Sequence, residues 1–350
     1  MNFDLLVIGS GPGGYVAAIR ASQLGLKTAV VERESLGGIC LNWGCIPTKS
    51  LLKSAQVLDY VQHASDYGIA VEGAVKPDFE KVVGRSRSVA DGMSKGIEFL
   101  FKKNKIEVLK GSGKLKSPGV VTVTSADGKE EEVKADHIIL ATGARSRELP
   151  NLKQDGEKII AYRKAMTLPT LPKSMVVVGS GAIGSEFANF YNTMGTEVTL
   201  VEFLPNVVPV EDEEVSKQLE RSFKKAKKKV MTSSSVESVD TSGELCKVQI
   251  KTPKGNIEVE AEVVLSAVGI APNVEGIGLE DLSVEMDAGK VKVDAYYRTN
   301  VKGLYAIGDI VGGPALAHVA SAEGITCVEK IAGHDPQPVD YGNIPGCTYT

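Results

Sequence analysis

The chain has 350 residues, room for about two domains of ordinary size. Its 40 Lys and Arg against 44 Asp and Glu give a formal net charge of −4, which lacks the basic excess of a nucleic-acid binder; the lysine-rich stretch Lys224–Lys229 follows the acidic Glu211–Glu214 and reads as a solvated helix face. No apolar run approaches the 18 residues of a membrane span, the start Met1-Asn2-Phe3-Asp4 has no basic signal region, and five cysteines are too few and too odd in number for a secreted disulfide scaffold, so the expectation is a cytoplasmic protein without membrane or nucleic-acid partners.

An internal duplication organises the chain. The apolar strand Leu5–Ile8 runs into Gly9-Ser-Gly11-Pro-Gly-Gly14, a helical pattern from Tyr15 to Leu24, and a second strand, Lys27–Val31, that ends in Glu32. The same order returns as Met175–Val178, Gly179-Ser-Gly181-Ala-Ile-Gly184, a helix through Met194, and the strand Thr196–Val201 ending in Glu202. Glu32 follows Gly9 by 23 residues, and Glu202 follows Gly179 by the same 23. One G-x-G-x-x-G is weak evidence; two, each framed by strand, helix and acid, predict two dinucleotide-binding turns. The first glycine makes the tight turn, the second lets backbone approach a pyrophosphate, and the third lets the helix pack on the sheet, its free N–H groups facing the anion. The acid accepts hydrogen bonds from ribose hydroxyls. Glu202 also repels a 2′-phosphate, and Val201-Glu202-Phe203 offers no arginine to receive one, so NAD is favoured over NADP.

Each copy continues with a hairpin pattern: Val120–Thr124, Asp127-Gly128 and Glu131–Leu140 in the first, Lys247–Lys251, Pro253–Asn256 and Ile257–Leu265 in the second. Each closes on a buried strand that ends in glycine, Ile138 to Gly143 and Val263 to Gly269. The first copy is longer by an insertion between about Ser35 and Glu80, which reads Gly37-Gly38-Ile-Cys40-Leu-Asn-Trp-Gly44-Cys45-Ile-Pro47-Thr-Lys49. Pro47 suits a first helical turn, and Leu51, Leu52, Ala55 and Leu58 give that helix a periodic apolar face. Cys45 then sits at the helix's positive end, where a thiolate is stabilised. A zinc site would want four N/S ligands, and no further Cys or His lies nearer than His63. Two inert buried thiols are the plain alternative to a redox-active disulfide beside a nucleotide cofactor. Late in the chain the strand Leu304–Ile307 ends in Gly308-Asp309, which puts a carboxylate at a sheet's ligand-binding edge, within reach of a polyol. Ala315-Leu316-Ala317-His318 opens a helix through Ile331 whose N-terminus faces the same ligand.

In this combination and order the motifs resemble the flavin- and pyridine-nucleotide-dependent disulfide oxidoreductases over essentially the whole chain, and among them the members that oxidise dihydrolipoamide. The likeness implies an α/β fold of two Rossmann-like domains, each with an antiparallel β-meander insertion: an FAD domain over 1–147 and 277–350, and an NAD domain over 148–276. It implies that Gly9, Gly11, Gly14 and Glu32 hold the ADP half of FAD, with Thr142, Gly143 and Ala317 beside the cofactor and Asp309 on the ribitol. Cys40 becomes the thiol that exchanges with lipoamide and Cys45 the flavin-side thiol; Lys49 and Glu186 form an ion pair at the flavin's reactive edge; Gly179, Gly181, Gly184, Glu202 and Gly269 bind NAD. No metal is implied, and the partner is lipoamide on a 2-oxoacid dehydrogenase or glycine cleavage complex.

The family continues for roughly another hundred residues as an interface domain that makes a homodimer and supplies a His–Glu base. This sequence ends at Gly346-Cys-Thr-Tyr-Thr350, near where that domain begins. The expectation is a chain that binds FAD and NAD(H), turns over dihydrolipoamide poorly, and lacks the dimer domain. His318 and Glu323 mimic the base motif's spacing but fall in the flavin-side segment. Glutathione and trypanothione reductases share the dithiol but favour NADP, and mercuric reductases need further cysteines. A non-catalytic flavin-binding or complex-docking component is the alternative from another class.

Overall fold

A computed structural model describes all 350 residues. It divides into two compact units: Met1–Asn42 with Ala90–Arg145 and Ala271–Pro345, and Trp43–Val89 with Ser146–Ile270 and Gly346–Thr350.

The first unit is built on a seven-stranded mixed sheet. Glu107–Lys110, Thr28–Glu32, Asn2–Ile8 and the far end of Glu130–Leu140 lie side by side and parallel, and Leu304–Ala306 pairs parallel with Glu130–Leu140 on its other side. The near end of Glu130–Leu140 pairs antiparallel with Val120–Thr124, which pairs with Ser112–Ser117. One long strand thus serves two layers, as its sequence shows: Glu130, Glu131 and Glu132 are exposed, whereas Ile139 and Leu140 are fully buried. Helix Pro12–Gln23 packs on helix Ala317–Ile331 closely enough that a Cβ on Gly324 would lie 2.8 Å from the Gly13 carbonyl oxygen, and Arg20 pairs with Glu329 at 2.6 Å.

The second unit has an all-parallel sheet in the order Lys229–Met231, Glu197–Val201, Ser174–Val178, Val263–Ser266, Ile159–Ile160. A separate antiparallel sheet of Ser235–Asp240, Cys246–Thr252 and Gly255–Ala261 accompanies it. Helices Cys45–Gln62 and Ala182–Met194 pack together, and Leu51, Leu58, Phe187, Phe190 and Tyr191 share one core, each large side chain contributing roughly 1.5–3 kcal/mol by burial.

Two sequence expectations change, and one helix is added. Ile257–Leu265 is not one strand: the chain breaks at Glu262, whose carboxylate accepts the Lys173 N–H at 2.7 Å and whose own N–H reaches the Ser174 hydroxyl. Phe79–Lys103, which the sequence reading does not describe, is one 25-residue helix that runs through Gly84, Gly92 and Gly96. The lysine stretch is not a uniform solvated face: its helix stops at Lys225, and Lys228 is buried. No helix is long and apolar enough to cross a membrane.

Candidate redox and nucleotide sites

In the first unit the strand Asn2–Ile8 delivers Gly9 into the turn and helix Pro12–Gln23 begins at once, with no side chain capping its first N–H groups. A Cβ on Gly14 would lie 1.9 Å from the Gly9 carbonyl oxygen, so this position admits glycine alone. A Cβ on Gly11 would meet nothing within 4 Å. Open space over free N–H groups at a helix's positive end fits a pyrophosphate. Glu32 does more than wait for a ribose: one carboxylate oxygen accepts the Ser10 N–H at 2.9 Å and its hydroxyl at 2.6 Å, and the other accepts the Glu34 N–H at 2.8 Å. The acid at the end of the second strand therefore clamps the glycine turn itself.

The cysteine segment lies against that turn. Gly37 donates its N–H to the Ser10 carbonyl at 3.0 Å, and Gly38, at φ +58°, approaches so closely that a Cβ would sit 2.6 Å from the Gly11 Cα. Cys40 follows in the short helix Gly38–Trp43, and Cys45 is the first residue of helix Cys45–Gln62, as expected. The two sulfurs form a disulfide, and both residues are partly exposed. The pair is therefore a disulfide and not two separate thiols. Asn42, within the cysteine motif but given no role by it, holds the segment: its Nδ2 donates to the Leu36 and Gly38 carbonyls at 3.0 Å each, and Ser94 Oγ lies 2.8 Å from its Oδ1.

At the same unit's sheet edge, Asp309 occupies the turn Gly308–Ile310 after strand Leu304–Ala306. Burial pushes its carboxyl up, and it has no hydrogen-bond partner in the chain. An unpaired, partly buried carboxylate fits a polyol that donates to it. Ala317 opens helix Ala317–Ile331, again without a side-chain cap. Thr142 and Gly143 are engaged with Asn273: the Thr142 hydroxyl donates to its carbonyl at 2.7 Å, and Gly143 accepts its N–H at 2.8 Å. His318 is exposed while Glu323 is 1% exposed and bonded elsewhere, so the two form no His–Glu base.

The second unit repeats the turn. A Cβ on Gly184 would lie 1.8 Å from the Gly179 carbonyl oxygen, one on Gly181 would meet nothing, and helix Ala182–Met194 starts uncapped. Glu202 accepts the Ser180 N–H and hydroxyl, both at 2.7 Å, and the Leu204 N–H at 2.8 Å. Gly269 follows the closing strand in a left-handed conformation and accepts the Arg147 N–H. The expected ion pair forms within this unit: Lys49 Nζ is 2.7 and 2.9 Å from the two oxygens of Glu186, which is 4% exposed. Tyr349 joins it, its N–H donating to Glu186 at 3.0 Å and its ring centre 4.8 Å from Lys49 Nζ. No local pattern points to Tyr349, which is 163 residues from its acceptor.

Comparison with known proteins agrees with this geometry. The model of the pyridine nucleotide-disulphide oxidoreductase family matches residues 3–324. A dihydrolipoyl dehydrogenase of Rhizobium etli is 50% identical over 99% of this chain and 76% of its own length. One of Zymomonas mobilis is 47% identical over 99% and 75%. The crystal structure of LpdA from Mycobacterium tuberculosis superposes with a TM-score of 0.90 at 30% identity, covering 96% of this chain and 74% of that one. The chain thus spans about three quarters of the length of these relatives.

Proposed function

The chain belongs to the pyridine nucleotide-disulphide oxidoreductase family, and from that premise we propose that it catalyses electron transfer between dihydrolipoamide and NAD+ as a dihydrolipoyl dehydrogenase with FAD as its bound cofactor. The observation that carries the proposal is the Cys40–Cys45 disulfide on a segment whose Gly38 rests on Gly11 of the first glycine turn.

In the forward direction a thiolate of dihydrolipoamide attacks the Cys40 sulfur and displaces Cys45 as a thiolate. The second substrate thiol then displaces Cys40, so lipoamide leaves oxidised and the chain holds two thiols. Cys45 is suited to be the displaced sulfur because it opens helix Cys45–Gln62, where the helix dipole stabilises the anion. FAD, when bound, relays the pair of electrons from that dithiol to NAD+ as a hydride.

Gly9, Gly11, Gly14, Glu32, Thr142, Gly143, Asp309 and Ala317 are the proposed FAD contacts, with 1–147 and 277–350 as the FAD domain. Gly179, Gly181, Gly184, Glu202 and Gly269 are the proposed NAD contacts within 148–276. Lys49 supplies a fixed positive charge at the reactive edge of the cofactor and Glu186 keeps it in place, supported by their 2.7 Å contact. Glu202 excludes NADP by its charge, and Ser180 fixes its direction. The lipoyl group is presented by a 2-oxoacid dehydrogenase or glycine cleavage complex in the cytoplasm.

The test is an anaerobic titration of the FAD-loaded chain with reduced lipoamide and, separately, with NADH, read by flavin absorbance. Both reductants should bleach or red-shift the spectrum in the native protein. In Cys40→Ser/Cys45→Ser, NADH should still do so and reduced lipoamide should not. Reduction of the double variant by lipoamide at the native rate refutes the proposal.

A further inference from the structure

Glu323 is a carboxylate in the first unit's core, 1% exposed, and none of the proposed steps uses it. A buried carboxylate is costly unless its oxygens are satisfied, and here they bind two separate segments. One oxygen accepts the Gly308 N–H at 2.6 Å; the other accepts the Tyr341 hydroxyl at 2.6 Å, which in turn lies 3.0 Å from the Tyr297 hydroxyl. Burial pushes both phenols up, Tyr297 to about 12, and pushes the Glu323 carboxyl up to about 7; the ionised carboxylate accepts from Tyr341. No cation is within hydrogen-bonding distance of Glu323; Lys290 and Asp309 act on it only through space. A hydrogen-bonded chain from helix Ala317–Ile331 through Tyr341 to Tyr297 therefore pins one backbone amide, and that amide belongs to the residue before Asp309. Gly308 is left-handed, at φ +74°, and without a side chain it has few other means of holding its orientation.

We propose that Glu323 is a positioning residue for the cofactor's polyol chain: by holding the Gly308 N–H it sets the direction of the otherwise unpartnered Asp309 carboxylate, so that the site discriminates among polyol hydroxyls. The inference rests on the FAD reading given above. It assigns Glu323 no contact with the cofactor and no part in proton transfer.

The test separates aim from mere stability. FAD is removed from the full chain and rebinding is measured by flavin fluorescence, with FAD itself and with FAD analogues that each lack one ribityl hydroxyl. The native protein should discriminate against at least one analogue by about tenfold, the loss of one hydrogen bond to a charged group. In Glu323→Ala, FAD should bind about tenfold more weakly while that analogue changes less than about twofold, so discrimination collapses. Glu323→Gln keeps an oxygen for the Gly308 N–H and should restore most of it. Tyr341→Phe, which leaves the carboxylate in place, should lower discrimination by about threefold and serves if the alanine variant fails to fold. Equal weakening of FAD and analogue in these variants, or discrimination as strong as native, overturns the inference and leaves the FAD reading intact. A native chain that binds FAD without sensing any hydroxyl also overturns it. A native chain that binds no FAD brings down the functional reading instead.

Discussion

The two glycine turns superimpose in their chemistry almost atom for atom. Ser10 and Glu32 in one have the same two hydrogen bonds as Ser180 and Glu202 in the other, and Gly14 and Gly184 leave 1.9 and 1.8 Å for an added Cβ. The copies part company in what surrounds the turn. The first receives Gly38 and the dithiol segment against its second glycine and has Glu323 behind its sheet edge. In the second, a break at Glu262 separates the meander from the closing strand, and a lysine is buried where the first has an isoleucine. The shared part is what any dinucleotide needs; the unshared parts tell the copies' tasks apart.

The most severe way to separate the copies is to close one turn at a time. Gly14→Ala should give a nearly colourless protein, with FAD affinity down by more than about 100-fold, because the methyl group meets a backbone carbonyl that cannot retreat. Gly184→Ala should stay yellow and lose about 100-fold in kcat/KM for NADH while its flavin content holds. Flavin stoichiometry and NADH oxidation, alongside circular dichroism to check folding, measure both. If Gly184→Ala loses flavin and keeps NADH oxidation, the assignment of the copies is reversed.

A smaller effect is expected from the acids. Glu32→Ala and Glu202→Ala each strip a Ser N–H and hydroxyl of their acceptor. Each should weaken its own nucleotide by about tenfold, the scale of hydrogen bonds to a charged group. Only Glu202→Ala should also shrink the preference for NADH over NADPH, since only there does a carboxylate repel a 2′-phosphate. Steady-state KM values for both nucleotides decide it; a preference unchanged in Glu202→Ala means discrimination lies elsewhere.

Which of these features the sequence reveals depends on their range. The turns, the 23-residue spacing to each acid and the start of helix Cys45–Gln62 are local patterns, and local patterns survive in one dimension. Lys49 and Glu186 come together through a family likeness, since 137 residues separate them. The Ser10 and Ser180 clamps are hidden because serine between glycines is ordinary turn chemistry until its acceptor is seen. Glu323 is invisible for a stronger reason: its partners Gly308 and Tyr341 lie on either side of it in the chain, and only packing brings them to one carboxylate. Its spacing from exposed His318 suggests a dyad that folding does not make.

The smallest expected effect comes from the strand that follows the second parallel strand in each unit's main sheet. Phe101, left-handed Lys105 and Ile106 precede Glu107–Lys110; Phe223, left-handed Lys227 and Lys228 precede Lys229–Met231. The Ile106 and Lys228 N–H groups donate to the Phe101 and Phe223 carbonyls at 2.9 and 3.0 Å, and the side chains are 6% and 5% exposed. The backbone is therefore the same and only the buried side chain differs. Lys228 rests 4.6 Å from the centre of the Phe223 ring, with Asn189 at 3.2 Å, and burial lowers its ammonium to about 8, against the opposing pull of the Asp59 charge. Between pH 8 and the unfolded lysine's value near 10.5, the unfolded chain binds the extra proton, so stability from this group rises with pH across that window. Lys228→Ile, which copies the first unit's solution, removes the penalty. It should stabilise the protein by on the order of 2 kcal/mol below pH 8, since each tenfold change in proton affinity is worth about 1.4 kcal/mol and some of the penalty relaxes. The gain should fade toward pH 10.5, as read by denaturant unfolding of native and variant chains at several pH values. A gain that is constant with pH would trace it to packing instead of charge. A loss at every pH would mean that the Asn189 contact outweighs burial, and that the second copy keeps its lysine for stability after all.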